Sequence, residues 1–166
     1  ISEAEDMFER EVSVPMLDVD ELYASKLVAA LDRQHPRDLF DVMLLNENGG
    51  ITPRMRRAFV VYLAGHNRPM HELLPPQTHD IKDAYEKEFV GMTTREVSLK
   101  ELEDTRERLF DELPPALDEA EQRFLQSIHR LEPEWSLLEV PGIETLPALQ
   151  WKLLNLRRLK ESNPDK

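Results

Sequence analysis

Apolar side chains recur along this chain at the spacing of one helix face, and proline-marked joints interrupt the pattern. Between residues 19 and 32 the apolar positions form a wide face, and Asp18 just before them is a favourable N-cap. Pro36 ends that segment and suits the first turn of a second helix, which reaches about Asn46. The pattern therefore predicts two consecutive helices joined by a short bend.

The same signals predict the remaining helices. Thr52 is an N-cap, and Pro53 is the first residue of a helix that ends near Ala64. Ser98 and Glu101 form a capping box, which opens another helix. The other segments are a short helix or turn at 69–74 and helices at 80–89, 98–113, 114–131 and 147–159, with 136–140 short or irregular.

About seven helices and almost no strand place the chain in the all-α class, as an irregular helical bundle. Residues 11–17 alternate weakly, which is compatible with one short N-terminal strand at a sheet edge, because Pro15 argues against a central strand. The chain begins with Ile1 rather than Met, so we expect a fragment of a longer protein. We assign residues 1–17 to a remnant of a preceding domain or linker and 18–166 to a helical C-terminal domain.

Composition narrows the function classes. The formal net charge is −12, which disfavours nucleic-acid binding through bulk charge but leaves local basic patches open. The absence of cysteine excludes disulfides, thiolate metal sites and a cysteine nucleophile, and fits a cytoplasmic protein. No apolar run approaches the roughly 20 residues of a membrane helix.

The second predicted helix carries the main candidate for chemistry. In the stretch from Arg37 to Leu45, Asp41 is the only polar residue after Asp38, and the two aspartates share a face three residues apart. Arg37 lies four residues before Asp41 and can reach it. We therefore expect a central, buried helix whose carboxylates need partners, since unpaired buried charges are costly.

The partners that we expect lie on the first helix. Lys26 and Arg33 are two turns apart on one face, and the bend at Pro36 can fold Asp38 and Asp41 back toward them. Such a cluster can hold a phosphate or support metal-bound chemistry. A buried ion-pair network that joins two helices is the simpler interpretation and stays open.

Three arginines open the third predicted helix, a position that suits the helix dipole poorly. Arg54, Arg56 and Arg57 could therefore contact an anionic partner such as a nucleic-acid backbone or a triphosphate. The alternative is a solvated face paired with neighbouring acids. Asp18 and Asp20 resemble a metal-binding D-x-D pair, but helix capping explains them well.

Other residues carry weaker signals. Trp151 and Asn155 share a face of the last helix, and Trp151 could stack on a base, although a buried anchor is the favoured interpretation. The five histidines show no metal-ligand spacing, and the chain contains neither a G-x-S-x-G elbow nor a glycine-rich phosphate loop.

Two blocks of sequence resemble the AbiEii/AbiGii-type toxin nucleotidyltransferase family. The first runs from Asp20 through Lys26 to Arg33, with Ala-x-Lys-Leu at 24–27, and the second is the R-D-x-x-D motif at 37–41. The segments at 89–92 and 150–155 are also similar to the family, so the resemblance spans nearly the whole chain.

The resemblance implies roles for these residues. The nucleotide-binding residues would be Lys26, which contacts a phosphate, Arg33 and Arg37. Lys26 would also be catalytic, together with Asp38 and Asp41, which would support catalysis or position basic groups. Arg37 would in addition orient the two aspartates. In such proteins an N-terminal half carries a Gly-Ser turn and a D-x-D pair that bind metal and nucleotide. This chain corresponds to the helical C-terminal half, and we expect it to be inactive alone.

The resemblance also implies cofactors and partners. Mg²⁺ and an NTP are expected for the full-length protein and neither for this fragment, and the acceptor in such proteins includes tRNA. Family members are toxins of toxin–antitoxin or abortive-infection systems, so an antitoxin is an expected partner. The alternative function is a non-catalytic helical interaction module, in which the charged cluster is scaffolding and loss of Asp41 costs several kcal/mol of stability.

Overall fold

The computed structural model describes residues 15–162 of the protein, and regular structure in this range consists of helices only. Eight α-helices follow one another with three shorter π- or 3₁₀-turns. They are α1 Val19–Arg33, α2 Pro36–Glu47, α3 Pro53–Ala64, α4 Met70–Leu73, α5 Lys82–Ala84 continued by a π-helix Tyr85–Phe89, α6 Leu99–Ala116, α7 Glu119–His129, two 3₁₀ turns at Trp135–Leu138 and Ile143–Thr145, and α8 Pro147–Ser162.

The helix starts follow from local capping. Asp18 Oδ1 accepts a hydrogen bond from the backbone N–H of Asp20 at 2.9 Å at the start of α1. Thr52 Oγ1 accepts from Met55 N–H at 3.0 Å at the start of α3. Each of these side chains satisfies a backbone donor that has no partner inside the helix. The predicted all-α class and the predicted starts of these helices are confirmed.

The boundary predicted at Pro114 and Pro115 is wrong. Helix α6 continues through both prolines to Ala116, and α7 starts only at Glu119. Asp118 and Glu121 form the capping box that opens α7, with hydrogen bonds of 2.9 Å in both directions. This Asp-x-x-Glu signal was present in the sequence and marks the start better than the prolines do.

Helix α1 packs between α2 and α3 and forms the centre of the fold. It runs parallel to α3, because Asp18 at its start meets Arg54, whereas Asp32 near its end meets Arg68. Helix α6 covers α2, and α7 and α8 lie against α3. The largest fully buried side chains are Leu27, Leu31, Leu39, Phe59, Leu63, Leu73, Leu102, Leu113, Phe124, Ile128, Leu138 and Ile143.

The C-terminal helix α8 approaches the end of α3 closely. A Cβ atom on Gly65 would lie 3.0 Å from the Cβ of Ala148, so the contact depends on a residue without a side chain. Lys152 is only 8% exposed, and its Nζ donates to the carbonyl oxygens of His66 and Arg68 at 2.8 and 2.9 Å. Burial lowers the pKa of Lys152. Its ammonium fastens α8 to carbonyl groups that follow the end of α3.

Replacing Lys152 with methionine is expected to lower the free energy of unfolding by about 1–3 kcal/mol, because the carbonyl oxygens of His66 and Arg68 lose the charged donor that they share. Lys100→Met is the matched control. Lys100 is exposed and pairs only with Asp104 one turn away, so its loss should cost less than about 1 kcal/mol. Urea denaturation measures both, and equal losses would contradict the anchoring role of Lys152.

Most of the strand proposed at residues 11–17 lies outside the described residues. Its described part, from Pro15 to Leu17, has no regular secondary structure.

None of the helices between residues 15 and 162 combines the length and the apolar character that crossing a membrane requires.

Candidate functional site

The joint between α1 and α2 brings the start of α2 against the end of α1. After Arg33, Gln34 adopts a left-handed conformation with φ of 50°. His35 then caps α2, since its Nδ1 accepts a hydrogen bond from the backbone N–H of Arg37 at 3.2 Å, and Pro36 is the first helical residue. The charged side chains of the two helices consequently face one another across this joint.

Lys26 and Asp41 form the first of two ion pairs between the helices. Lys26 Nζ donates to Asp41 Oδ2 at 2.5 Å, although the residues are 15 positions apart. The two side chains are 33% and 31% exposed, so solvent reaches both partners. Both residues belong to the cluster that the sequence predicts, but their pair is open at the surface rather than enclosed.

Arg33 and Asp38 form the second pair. Arg33 Nη2 donates to Asp38 Oδ1 at 2.7 Å. Asp38 is 8% exposed, whereas the side chain of Arg33 is 62% exposed. Asp38 Oδ2 is buried and has no hydrogen-bond partner among residues 15–162. Asp38 is thus the most constrained member of the cluster, and the Arg33 guanidinium remains accessible.

Arg37 does not pair with Asp41. It binds the backbone of Glu88 instead. Its Nε and Nη2 donate to the backbone carbonyl of Glu88 at 3.2 and 3.1 Å. The carboxylate of Glu88 contacts His35 Nε2 at 3.2 Å. Sequence reasoning missed Glu88, because nothing in the spacing of residues 51 positions apart signals such a contact.

The exposure of the site changes its interpretation. The apolar character of α2 predicts buried charges, and this is confirmed only for Asp38. Lys26 and Asp41 lie at the rim of the packed core, where a surface ion pair contributes about 0–1 kcal/mol to stability. An arrangement that contributes so little to folding, yet presents an ammonium and a guanidinium to solvent, is suited to contact an anionic ligand.

The described part of the chain does not supply a metal centre. Between residues 15 and 162, no group of three or more histidine, aspartate or glutamate side chains is arranged so that it could hold a metal ion. Asp38 and Asp41 each already face a cationic side chain. Asp18 and Asp20, the D-x-D pair, both contact Arg54, and Asp18 caps α1. These carboxylates do not fit a divalent ion as they stand.

The three arginines of α3 have different surroundings. Arg54 is exposed and pairs with acids at the start of α1. Arg56 Nε donates to Glu121 Oε2 at 2.7 Å, and this hydrogen bond raises the pKa of Arg56. Arg57 makes no ion pair with any other residue in the described range. Neighbouring acids therefore engage two of the three, and contact with nucleic acid stays a prediction.

Trp151 is not a buried anchor, contrary to the favoured sequence interpretation. Its side chain is 56% exposed on α8, although the adjacent Lys152 and Leu153 are buried. It lines a cavity that also includes Asn155 on the next turn. The residues that anchor α8 are Lys152 and Leu153, which directly follow Trp151. Hydrophobic periodicity alone does not show which of two adjacent positions at the edge of a helix face is buried.

Comparison with known protein families gives a match over most of the chain. A family model described as "Nucleotidyl transferase AbiEii toxin, Type IV TA system" matches residues 1–155. Nothing among the curated proteins or the solved structures matches the chain. The matched range contains both ion pairs between α1 and α2 as well as Trp151, and it ends before the last two turns of α8.

Proposed function

This chain belongs to the AbiEii family of nucleotidyl transferase toxins from type IV toxin–antitoxin systems, and we propose that the cluster between α1 and α2 takes part in nucleotide transfer from an NTP to an acceptor such as tRNA. The observation that carries this proposal is the Lys26–Asp41 pair, which connects two helices while a third of each side chain stays exposed. An antitoxin is the partner that a toxin of this type implies.

In this proposal the residues have distinct tasks. Lys26 contacts a phosphate of the nucleotide, and Asp41 holds the ammonium in position. Arg33, with its exposed guanidinium, provides a second phosphate contact, while Asp38 orients it. Arg37 fixes the start of α2 through the backbone carbonyl of Glu88. These residues bind the nucleotide and orient the groups that contact it.

We propose further that this chain acts as the helical C-terminal part of a longer cytoplasmic protein. The 166 residues contain no Gly-Ser turn, and the D-x-D pair at 18–20 is engaged with Arg54. In the N-terminal half that the family resemblance implies, those motifs bind the metal and the nucleotide. Residues 1–17 then belong to the region that joins the two parts, and this helical part by itself is inactive.

The test is a transfer assay with the full-length protein and α-labelled NTPs. Each of the four NTPs is incubated with the protein, Mg²⁺ and total cellular RNA, which includes tRNA. The label in each RNA species is measured after gel separation. Label incorporated with at least one NTP is the expected result. If no NTP labels tRNA or other cellular RNA, the protein is not a nucleotidyltransferase of the proposed kind, and a binding role for the cluster remains.

A further inference from the structure

A groove lies between the end of α3, helix α7 and helix α8, far along the chain from the Lys26–Asp41 pair. Its volume is about 960 Å³, which is at the upper end of the usual range for ligand sites. Its walls include Leu125 from α7 and Leu156 from α8, with Met70 at one end. The groove has room for more than one ring of a ligand.

The charge of this groove is opposite to that of the chain. Among the described residues that line it, none is aspartate or glutamate, although the chain carries a net charge of −12. Its lining includes Arg130 and two histidines, His71 and His129. Lys152 also borders the groove, but its ammonium is bonded to the carbonyl oxygens that follow α3. Arg130 meets Glu134 only at 3.6 Å, and its side chain stays 55% exposed. The guanidinium of Arg130, in a lining without acidic residues, is therefore the group that an anionic ligand would contact.

The lining also offers an exposed aromatic face and hydrogen-bonding amides. The 56% exposure of Trp151 leaves its indole available for stacking. Asn67, Gln126 and Asn155 line the same space and present both donors and acceptors. A planar heterocycle with polar edges matches this combination, because its faces stack on an indole and its edges bond to amides.

Helix α8 extends the positive surface beyond the groove. No acidic residue occurs between Pro147 and Lys160 in this helix. Arg158 lies two turns after Trp151 on the same side, and Lys160 lies one turn after Leu156. Both are exposed and make no ion pair within residues 15–162. The cationic side chains therefore continue along α8 beyond the groove, an arrangement that suits a ligand with several phosphates.

We propose that this groove binds an unpaired RNA strand, with a base stacked on Trp151 and the phosphates along Arg130 and Arg158. This proposal is independent of the transfer chemistry, because it assigns a binding site to residues outside the α1–α2 cluster. An acidic amphipathic protein helix is the other occupant that an apolar, cationic groove admits. The three amides and the exposed indole favour the RNA, since an apolar helix face leaves amides without partners.

The test is fluorescence anisotropy of a labelled, unstructured RNA octamer titrated with the full-length protein. Trp151→Ala is expected to weaken binding by about 5-fold to 100-fold, the loss typical of one stacking contact. Trp151→Phe should retain part of the affinity because it keeps an aromatic face. Arg158→Gln should make the dependence of log K on log salt shallower by about 0.7.

Three controls keep the result interpretable. Lys100→Gln removes an exposed charge on α6, away from the groove, and should change neither affinity nor salt dependence. Thermal melts of each variant verify folding. The Lys26→Met/Asp41→Asn double variant should bind the octamer normally. Loss of nucleotide transfer and loss of RNA binding in the groove can therefore be distinguished.

The proposal is overturned if the octamer does not bind, or if it binds wild type and Trp151→Ala equally. A synthetic acidic amphipathic peptide is titrated in parallel. Binding of that peptide, without RNA binding, to wild type but not to Trp151→Ala would identify a protein-docking groove instead.

Discussion

Replacing Asp41 with asparagine in the full-length protein is expected to slow nucleotide transfer at least about a hundredfold. That loss corresponds to about 2.7 kcal/mol of transition-state stabilisation. Asparagine keeps the size of the side chain but removes the charge that holds the Lys26 ammonium at 2.5 Å. Lys26→Met should cause a loss of similar size, because it removes the phosphate contact itself.

The same substitutions should hardly change the stability of the protein. Both side chains are about one-third exposed, and pairs of this kind contribute about 0–1 kcal/mol. The scaffolding alternative predicts that loss of the Asp41 carboxylate lowers stability by several kcal/mol. A loss of that size is typical of a buried ion pair, whereas the Asp41 side chain is 31% exposed. Chemical denaturation and the labelled-NTP assay, applied to one preparation, separate a catalytic role from a structural role.

Two variants control this experiment. Asp104→Asn removes the carboxylate of another Lys–Asp pair, on α6, and should leave transfer unchanged. The exchange Lys26→Asp/Asp41→Lys restores opposite charges across the two helices but moves the ammonium. The exchange variant should be as stable as wild type while transfer stays lost. A transfer rate within threefold of wild type in Asp41→Asn would show that our site assignment is wrong.

Arg56→Met is expected to cause the largest loss of stability, about 3–5 kcal/mol. Glu121 is 1% exposed, and Arg56 is its only cationic partner in the described range. Glu121 Oε1 is already buried without a hydrogen bond in that range. Removal of the guanidinium leaves a buried, uncompensated carboxylate, so the melting temperature should fall by roughly 6–20 °C.

Arg54→Met is the matched control, two residues away on the same helix. The side chain of Arg54 is 70% exposed, so its loss should cost at most about 1 kcal/mol. The double variant Arg56→Met/Glu121→Gln should recover much of the stability, because glutamine removes the charge and still accepts from the backbone N–H of Asp118. If Arg56→Met is no worse than Arg54→Met, the buried pair does not stabilise α3 against α7.

The fold was largely predictable because helix ends are local. Asp18, Thr52 and Ser98 each bond to a backbone group two or three residues away, and such short contacts are visible as spacing in the sequence. The mistaken start at Pro114 came from giving proline more weight than the Asp118 capping box. The last turn of α6 accommodates both prolines, so proline marks a helix end only approximately.

The candidate site was predictable in part for the same reason. Lys26 and Arg33 share a face of α1, and the bend at Pro36 needs only two residues to turn α2 back. That geometry predicts the two basic and two acidic residues in one cluster, and the structure shows which of them pair, Lys26 with Asp41 and Arg33 with Asp38. Their functional roles stay predictions, since the family match identifies the family and not the task of each side chain.

The sequence alone determined the helical class, most helix starts and the approach of the charged residues of α1 and α2, because all of these depend on residues within about four helical turns of one another. Only the tertiary structure decided which charges are buried, that Arg37 contacts Glu88, that Arg56 compensates Glu121, and that Trp151 is exposed. Those outcomes depend on how distant helices pack. Packing sums many weak contacts between surfaces, and no spacing along the chain records that sum.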